Sequence, residues 1–340
     1  MKRECLGVGI ILLCVGTCII PAFAQDTEKS QLTSSGNWLY VGGSGPGNYT
    51  KIQDAIDDAS SGDTVYVYNG VYNDHVKVGL SSVCVLVDKS ITLLGENKYT
   101  TIIDANEDLI GIAIDAEGSA LNWINISGFT IRNATVATGR GVDIYNWGHL
   151  SRNVSIYDNI ITQNDDGFIN SDGVDLKIFN NIITNNNEIG IYILGDQSNY
   201  ITDNIISNNP IGISAGGGDN PQVIERNHFK DNEKGILLGI NSKNTIRNNN
   251  FINNKIDTNL YKGPYALGLF SLPLFRNKWD GNYWDNWKTT TPKPILGVFV
   301  LIVLIPYPGA HFFPIPLGIF PYIAFDWHPA QEPYDIPDMN

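Results

Sequence analysis

The chain is poor in cysteine. Three of its 4 cysteines, Cys5, Cys14 and Cys18, lie near the amino terminus, and only Cys84 follows residue 24. A single cysteine excludes an internal disulfide, and with it the class of small disulfide-stapled secreted domains. Buried apolar area and hydrogen bonds must hold the chain together. Its 340 residues exceed what one compact core usually takes, which favours an elongated repeat architecture.

Basic residues are also scarce, 22 against 35 acidic ones, which gives a net charge of −13. This composition excludes nucleic acid as a partner, because phosphate binding requires a basic patch. It also argues against a polyanionic substrate such as pectin unless cations bridge the two. Otherwise the excess of acidic residues is typical of a secreted protein, because its net charge keeps it soluble.

Neither long apolar run is of the length that a membrane-spanning helix needs. Residues 6–20 follow Lys2 and Arg3 and precede the small-x-small site Ala22-Phe23-Ala24. This pattern predicts a secretory signal peptide over 1–24, and hence an extracytoplasmic, secreted or cell-surface protein. The other run, 295–305, is followed by several prolines. It predicts an apolar tail over 291–340 that packs on or caps the fold, with a membrane-interface or protein contact through 295–325 as the alternative.

Five similar segments follow one another between residues 154 and 258. They begin 22 or 23 residues apart, and each has an asparagine three residues after its first isoleucine. Short runs of alternating apolar residues, interrupted by Asn and Gly, indicate strands and turns rather than helices. The repeat predicts an all-β fold, a right-handed parallel β-helix over 47–290, preceded by a linker and first strand over 25–46. Its first isoleucines are Ile156, Ile178, Ile201, Ile224 and Ile246.

One earlier coil is longer than the others. Ile126 and Ile156 are 30 residues apart, so seven or eight extra residues are expected, around Ala134–Arg140. At the amino-terminal end, residues 50–60 place Ile52, Ala55 and Ile56 on one helical face. This face predicts a capping helix, because a solenoid must cover its open edges.

The repeated asparagines call for a physical reason, because Asn is a poor strand former. Equivalent residues of successive coils stack about 4.8 Å apart, a spacing at which identical amide side chains can hydrogen-bond to one another. We therefore predict a structural ladder of Asn159, Asn181, Asn204, Asn227 and Asn249. A column of glycines, Gly167, Gly190, Gly212 and Gly235, marks positions where the chain turns tightly or needs positive φ.

Two segments, IQDAIDDASSGDTVYVYNGVYNDHVKV at 52–78 and SITLLGENKYTTIIDA at 90–105, resemble the first coils of pectin-lyase-like β-helix proteins. The Asn-rich repeats and NKWDGNYWDNW at 277–287 resemble the NosD-like branch. FDWHPAQEPYDIP at 325–337 resembles endings of archaeal surface proteins of that branch. The resemblance implies a family of carbohydrate-binding or sugar-hydrolysing proteins, with one branch named for a periplasmic copper-site accessory protein. It is specific for fold rather than activity, since this fold carries many functions.

Polygalacturonases of this fold carry an Asn-Thr-Asp-type motif, to which NSDGVD at 170–175 is similar, but the family's later Asp pair, Gly-His-Gly and Arg-x-Lys are missing. An Asp pair does occur one coil earlier. We therefore consider Asp165, Asp166, Asp172 and Asp175 as candidate catalytic residues, since glycoside hydrolysis needs two carboxylates in a cleft. The alternative is ordinary turn chemistry of Asp beside Gly.

Calcium is the one cofactor that the acidic coil suggests, with Asp165, Asp166 and Asp172 as candidate ligands. A lyase would also need a base, and Arg132, Arg140 and Arg152 lie nearby, although no motif fixes them. Copper is not expected, because its preferred His, Cys and Met ligands are few and scattered.

The aromatic residues Trp279, Tyr283, Trp284 and Trp287 either stack on sugar rings or close the last coil. The sequence as a whole favours a non-enzymatic β-helix that binds carbohydrate or a cell-surface polymer, or serves as an interaction scaffold. A divergent polysaccharide hydrolase or lyase is the alternative. A NosD-like extracytoplasmic accessory protein without an evident copper site is the third.

Overall fold

The computed structural model describes most of the chain beyond residue 35. The described ranges are 36–78, 81–106, 109–115, 120–136, 138–145, 151–171, 173–194, 198–216, 221–239, 243–267, 277–307 and 311–336. The predicted signal peptide, the linker before residue 36 and Asp172 lie outside these residues.

The chain winds through three parallel faces, and each coil contributes strands to each face in turn. Faces one and two join in a 22-stranded sheet, and the third face is a 9-stranded sheet. Strands of successive coils pair in parallel, as Ile156↔Ile178 and Ile178↔Ile201 do. The predicted parallel β-helix is therefore confirmed.

The first face contains β5 (Ser81–Val87), β8 (Ile110–Ile114), β11 (Arg140–Ile144), β14 (Asp166–Asn170), β18 (Ile189–Ile193), β21 (Ile211–Ala215), β24 (Lys234–Gly239), β27 (Ile256–Leu267) and β30 (Lys293–Tyr307). Two antiparallel strands flank it, β4 (Val76–Val78) beside β5 and β31 (His311–Asp326) beside β30.

The second face contains β1 (Trp38–Val41), β2 (Thr64–Val67), β6 (Thr92–Gly95), β9 (Asn122–Ser127), β12 (Ser151–Tyr157), β15 (Gly173–Val174), β16 (Leu176–Phe179), β19 (Asn199–Thr202), β22 (Val223–Glu225), β25 (Thr245–Arg247) and β28 (Lys278–Asp280). The third contains β3 (Gly70–Tyr72), β7 (Thr101–Asp104), β10 (Thr130–Arg132), β13 (Ile160–Thr162), β17 (Ile182–Thr184), β20 (Ile205–Ser207), β23 (His228–Lys230), β26 (Asn250–Ile252) and β29 (Tyr283–Trp284).

The core consists of apolar columns that run along the solenoid. The five repeat isoleucines, from Ile156 to Ile246, are all fully buried, and so are Ile161, Ile183 and Ile206 on the third face. Each buried isoleucine contributes about 1.5–3 kcal/mol of transfer free energy. The 22- to 23-residue spacing is therefore the length that returns an apolar side chain to the same column.

The predicted asparagine ladder is present. Each Nδ2 donates to the Oδ1 of the next coil, as Asn204 does to Asn227 at 3.0 Å, and all five ladder residues are fully buried. The ladder continues through Asn282. A second ladder, not predicted, runs through Asn164, Asn186, Asn209, Asn232 and Asn254 at the turn between the third and first faces.

The glycine column has a different cause from the expected one. Gly167, Gly190, Gly212 and Gly235 do not have positive φ; a Cβ on Gly190 would lie 2.6 Å from the carbonyl oxygen of Gly212. Close approach of successive coils requires these glycines. The turns instead place Asn, Asp, Gln or Arg at positive φ, for example Asn180 at 55° and Asn185 at 55°.

An additional element lies at each end of the solenoid. Helix α1 (Ile52–Asp58) lies within the predicted range and buries Ile52, Ala55 and Ile56. At the other end, the apolar tail forms the β30–β31 hairpin, whose first strand pairs with β27. The chain then returns to the last coil, where Tyr283 bridges to Ala330. Among the described residues, no helix is long and apolar enough to cross a membrane.

Candidate functional site

A groove lies where the sequence predicted extra residues. They lie in two connections, one on each side of β11. Seven residues separate β10 from β11, against three between β13 and β14, and six separate β11 from β12, against two between β14 and β15. The predicted single insertion around 134–140 is thus two insertions of four residues, because the strand between them keeps its register with its neighbours.

A groove of about 710 Å³ lies on the outer surface of the first face and is lined by Arg140 and Tyr145, at the two ends of β11. Its walls are mainly apolar and include Val83 and Ile110 on one side and Ile169 and Leu194 on the other. Strand β4 adds Val78 at the edge. A concave, mostly apolar surface with a few polar groups is the usual form of a small-ligand site.

An ion pair lies in this groove. Asp143 points away from the core, because Val142 and Ile144 on either side of it are buried in the interior. The Arg140 guanidinium lies 2.6 Å from Oδ2 of Asp143, whose side chain is 3% exposed. The Asp143 carboxylate is almost fully buried and the Arg140 guanidinium is one third exposed, so the ion pair holds the guanidinium at the surface of the groove.

Asp166 is adjacent to the groove and has an unusual acidity. It pairs in register with Arg140 on the neighbouring coil and is 6% exposed. Burial and the nearby Glu188 carboxylate raise the pKa of Asp166 to about 6, against the lowering effects of the Ile189 N–H and Arg140. A carboxyl group with this pKa can donate a proton near neutral pH, which is the property that a general acid needs.

Of the other described acidic candidates, Asp165 is close enough for its charge to raise the pKa of Asp166, whereas Asp175 is not. Asp165 accepts hydrogen bonds from the Gly139 N–H at 2.9 Å and from Asn187 at 3.0 Å, so it shapes the turn. Asp175 is exposed, with φ of 54°, on the second face. Strand β14 separates it from Asp166, and its four residue steps alone span roughly 13 Å.

The described carboxylates do not fit a calcium site. Both Asp165 oxygens and Oδ1 of Asp166 already accept hydrogen bonds from the chain. Among the described residues, no group of three or more His, Cys, Asp or Glu could hold a metal ion. The calcium expectation therefore remains a prediction that depends on Asp172, which lies outside the described residues.

The aromatic candidates form the end of the core. Trp279, Tyr283 and Trp284 are 4%, 8% and 0% exposed, and Trp284 stacks on Phe251 with centroids 4.3 Å apart. Trp287 is half-buried and donates from Nε1 to the Thr291 carbonyl oxygen. These rings close the last coil, so they do not form an exposed surface for stacking on sugars.

Sequence reasoning missed Asp143 and gave Arg140 no defined role. Arg132 of the same group pairs with Asp104 at 2.8 Å, and Arg152 is exposed on β12. The signal available was the long coil itself: charged residues beside an insertion in a regular solenoid lie where a groove can form.

The chain matches, over residues 141–272, the family model described as a right handed beta helix region. A solved pectate lyase, Pel9A, is similar over 75% of this chain and 74% of its own, with a TM-score of 0.52 and 13% identity. This chain is a right-handed parallel β-helix of the pectin-lyase-like type. At such identity the similarity shows the fold alone.

Two further solved structures are similar to the chain at lower TM-scores. One is the A-module of the Azotobacter vinelandii mannuronan C-5 epimerase AlgE4, with 19% identity over 68% of this chain and 73% of its own and a TM-score of 0.44. The other is a carrot pectin methylesterase, with 13% identity over 72% of this chain and 81% of its own and a TM-score of 0.35. No curated protein matches the sequence.

Proposed function

We propose that this protein is an extracytoplasmic carbohydrate-binding β-helix whose ligand occupies the groove at Arg140 and Asp143. The observation that carries this proposal is the 710 Å³ groove with a fixed ion pair in it. Sugars present apolar C–H faces and hydroxyl groups together. Apolar walls match the first, and a guanidinium beside a carboxylate can donate to and accept from the second.

The charge around the groove favours an uncharged glycan. Asp115, Asp143 and Asp166 lie in or beside it, against Arg140. The net charge of −13 adds to this field. A polyuronate would be repelled unless cations bridged it. The predicted signal peptide supports a location outside the cytoplasm, with the protein either secreted or at the cell surface. The NosD-like and archaeal assignments remain proposals from resemblance.

A glycan array with the mature chain tests binding, and an Arg140→Lys variant tests the site. Lysine keeps the charge beside Asp143 but loses the planar fork of donors, so affinity should fall about tenfold. Arg226→Lys is the matched control, because Arg226 pairs with Asp203 at 2.7 Å at an exposed place. If no glycan on the array is bound, the proposal is wrong; if Arg140→Lys binds normally, the groove is not the site.

A second candidate function, a polysaccharide-degrading enzyme, rests on Asp166. If it acts as a general acid, turnover should be lost in Asp166→Asn and should fall as pH rises above about 6, because the protonated form is consumed. Reducing-end and unsaturated-product assays, each with and without Ca²⁺, separate hydrolase from lyase. Binding without any turnover would leave the binding function alone.

A further inference from the structure

We infer that four aromatic residues at the amino-terminal end of the second face, Trp38, Tyr40, Tyr66 and Tyr68, form a separate binding surface for an uncharged glycan chain. We call this cluster the aromatic platform. The inference rests on the carbohydrate binding proposed above but places contacts on another face of the solenoid.

Strand register puts these rings on the outside. Trp38 pairs with Thr64 and Tyr40 with Tyr66, while Val41, Val65 and Val67 fill the interior and are fully buried. Side chains alternate along a strand, so the aromatic residues must face outward. The core is complete without them.

The rings are mutually supported and still accessible. Trp38 and Tyr40 lie 29° from parallel with centroids 6.3 Å apart, and Tyr40 stands in the same relation to Tyr68 at 6.2 Å. Tyr66 meets Tyr68 edge to face at 5.1 Å. Trp38 is 49% exposed and Tyr40 39%. Contacts between rings hold each one in place, so little side-chain entropy is lost when a ligand stacks on them.

Chemistry and charge point to a neutral sugar. Aromatic rings stack on the C–H face of a pyranose, and the three tyrosine hydroxyl groups can donate to or accept from its hydroxyls. A carboxylate acts on the platform: burial and, after it, the Glu96 carboxylate raise the pKa of Tyr66. Glu96 also accepts from the Asn69 N–H at 2.8 Å, which holds it beside the platform. A uronate would be repelled there.

Calorimetric titration of the full mature chain tests this with cellohexaose, mannohexaose, xylohexaose and hexagalacturonate. Trp38→Ala and Tyr40→Ala should each raise Kd for the best uncharged hexasaccharide about three- to tenfold, and Trp38→Phe should restore most of the affinity. Trp123→Ala is the matched control, because Trp123 is a 68% exposed tryptophan elsewhere on the second face. Melting temperatures of all four variants should stay close to that of the unaltered chain.

Normal glycan affinity in Trp38→Ala would overturn the inference. If the variant kept its glycan affinity but lost self-association, the platform would be a contact surface for a second protein chain. If Arg140→Lys alone weakens binding, the groove stands and the platform falls. If only hexagalacturonate binds, the platform inference is overturned although carbohydrate binding stands. If no glycan binds, both proposals fail.

Discussion

Asparagine has two different roles in this chain, and the backbone decides which one applies. Asn204 is fully buried, and its side-chain amide links three coils. Asn180 and Asn185, at φ of 55°, provide the left-handed turn conformation that most other side chains avoid. The sequence predicted the first role from the column of identical residues. It could not assign the second, because Asp, Gln and Arg occupy equivalent turn positions, for example Asp158 and Gln163.

Asn204→Ala should destabilise the protein by about 3–5 kcal/mol. Its amide donates to the Ile178 and Thr202 carbonyl oxygens, both at 2.9 Å, and its Oδ1 accepts from the Asn181 N–H. Each buried group left without a partner costs about 1–3 kcal/mol. Urea unfolding followed by circular dichroism measures the loss. Asn187→Ala, at an exposed turn residue, is the control and should change little.

Asp166→Asn should stabilise the protein at pH 7 and flatten its pH dependence. The folded-state pKa of about 6 exceeds the ordinary 3.8, so the folded state binds more protons between these values. Stability therefore falls as pH rises from about 4 to 6, by at most about 3 kcal/mol. Asn keeps an oxygen that can accept from Ile189 but carries no buried charge.

Unfolding in urea at pH 4.5 and 7.5 checks this, with Asp175→Asn as a control because Asp175 is exposed. A loss of stability at pH 7.5 in the Asp166→Asn variant would contradict the expected stabilisation. Asp166 was within reach of sequence reasoning as one of an Asp pair. The role of Asp143 was not, because the long coil indicates that a groove can form but the register of β11 with its neighbours is what places Asp143 in it.

At the scale of strands and turns, the spacing between coils is the controlling quantity. On β8, β11, β14, β18, β21 and β24 a glycine precedes the residue of the buried column, because the carbonyl oxygen of the next coil leaves no room for a Cβ. Sequence periodicity identified the column but not its cause, since a glycine that allows positive φ and one that allows close approach look alike in a single sequence.

Gly190→Ala should cost about 1–3 kcal/mol, because its Cβ would lie 2.6 Å from the Gly212 carbonyl oxygen and force adjacent coils apart. Gly216→Ala is a matched control on the same face, where the nearest atom is at 3.6 Å. Equal melting temperatures for the two variants would show that the coils tolerate a wider spacing.

Asp326 closes the asparagine ladder at its carboxyl-terminal end. Its fully buried carboxylate accepts from Asn282 at 3.0 Å, from Trp284 at 3.1 Å and from the Gly281 N–H at 3.2 Å. Asp326→Ala should fray the last coils, because terminal repeats depend on their cap. Hydrogen exchange should increase at residues 245–252 and 278–284 and stay unchanged at 160–184. Asp280→Ala, at an exposed carboxylate, is the control. Uniform exchange along the solenoid would contradict a local capping role.

Over the whole molecule, the repeat determined how much the sequence could predict. The regular coils were predictable because one pattern recurs with the spacing of the columns it fills. The β30–β31 hairpin was not, since its apolar residues lie on both strands and carry no alternation that distinguishes an inner from an outer side. Leu296 and Ile319 are 63% and 71% exposed in it.

The acidic charge of the molecule gives a prediction that belongs to no single residue. With a net charge of −13, repulsion of a polyuronate should weaken as salt shortens the screening length from about 30 Å at 10 mM to about 10 Å at 100 mM. Affinity for hexagalacturonate should therefore rise a few-fold across this range, while affinity for an uncharged hexasaccharide should stay constant. Titrations at both ionic strengths measure the two slopes. A uronate affinity that falls with salt would mean that a basic site outweighs the acidic field, and the preference for neutral glycans would then be wrong.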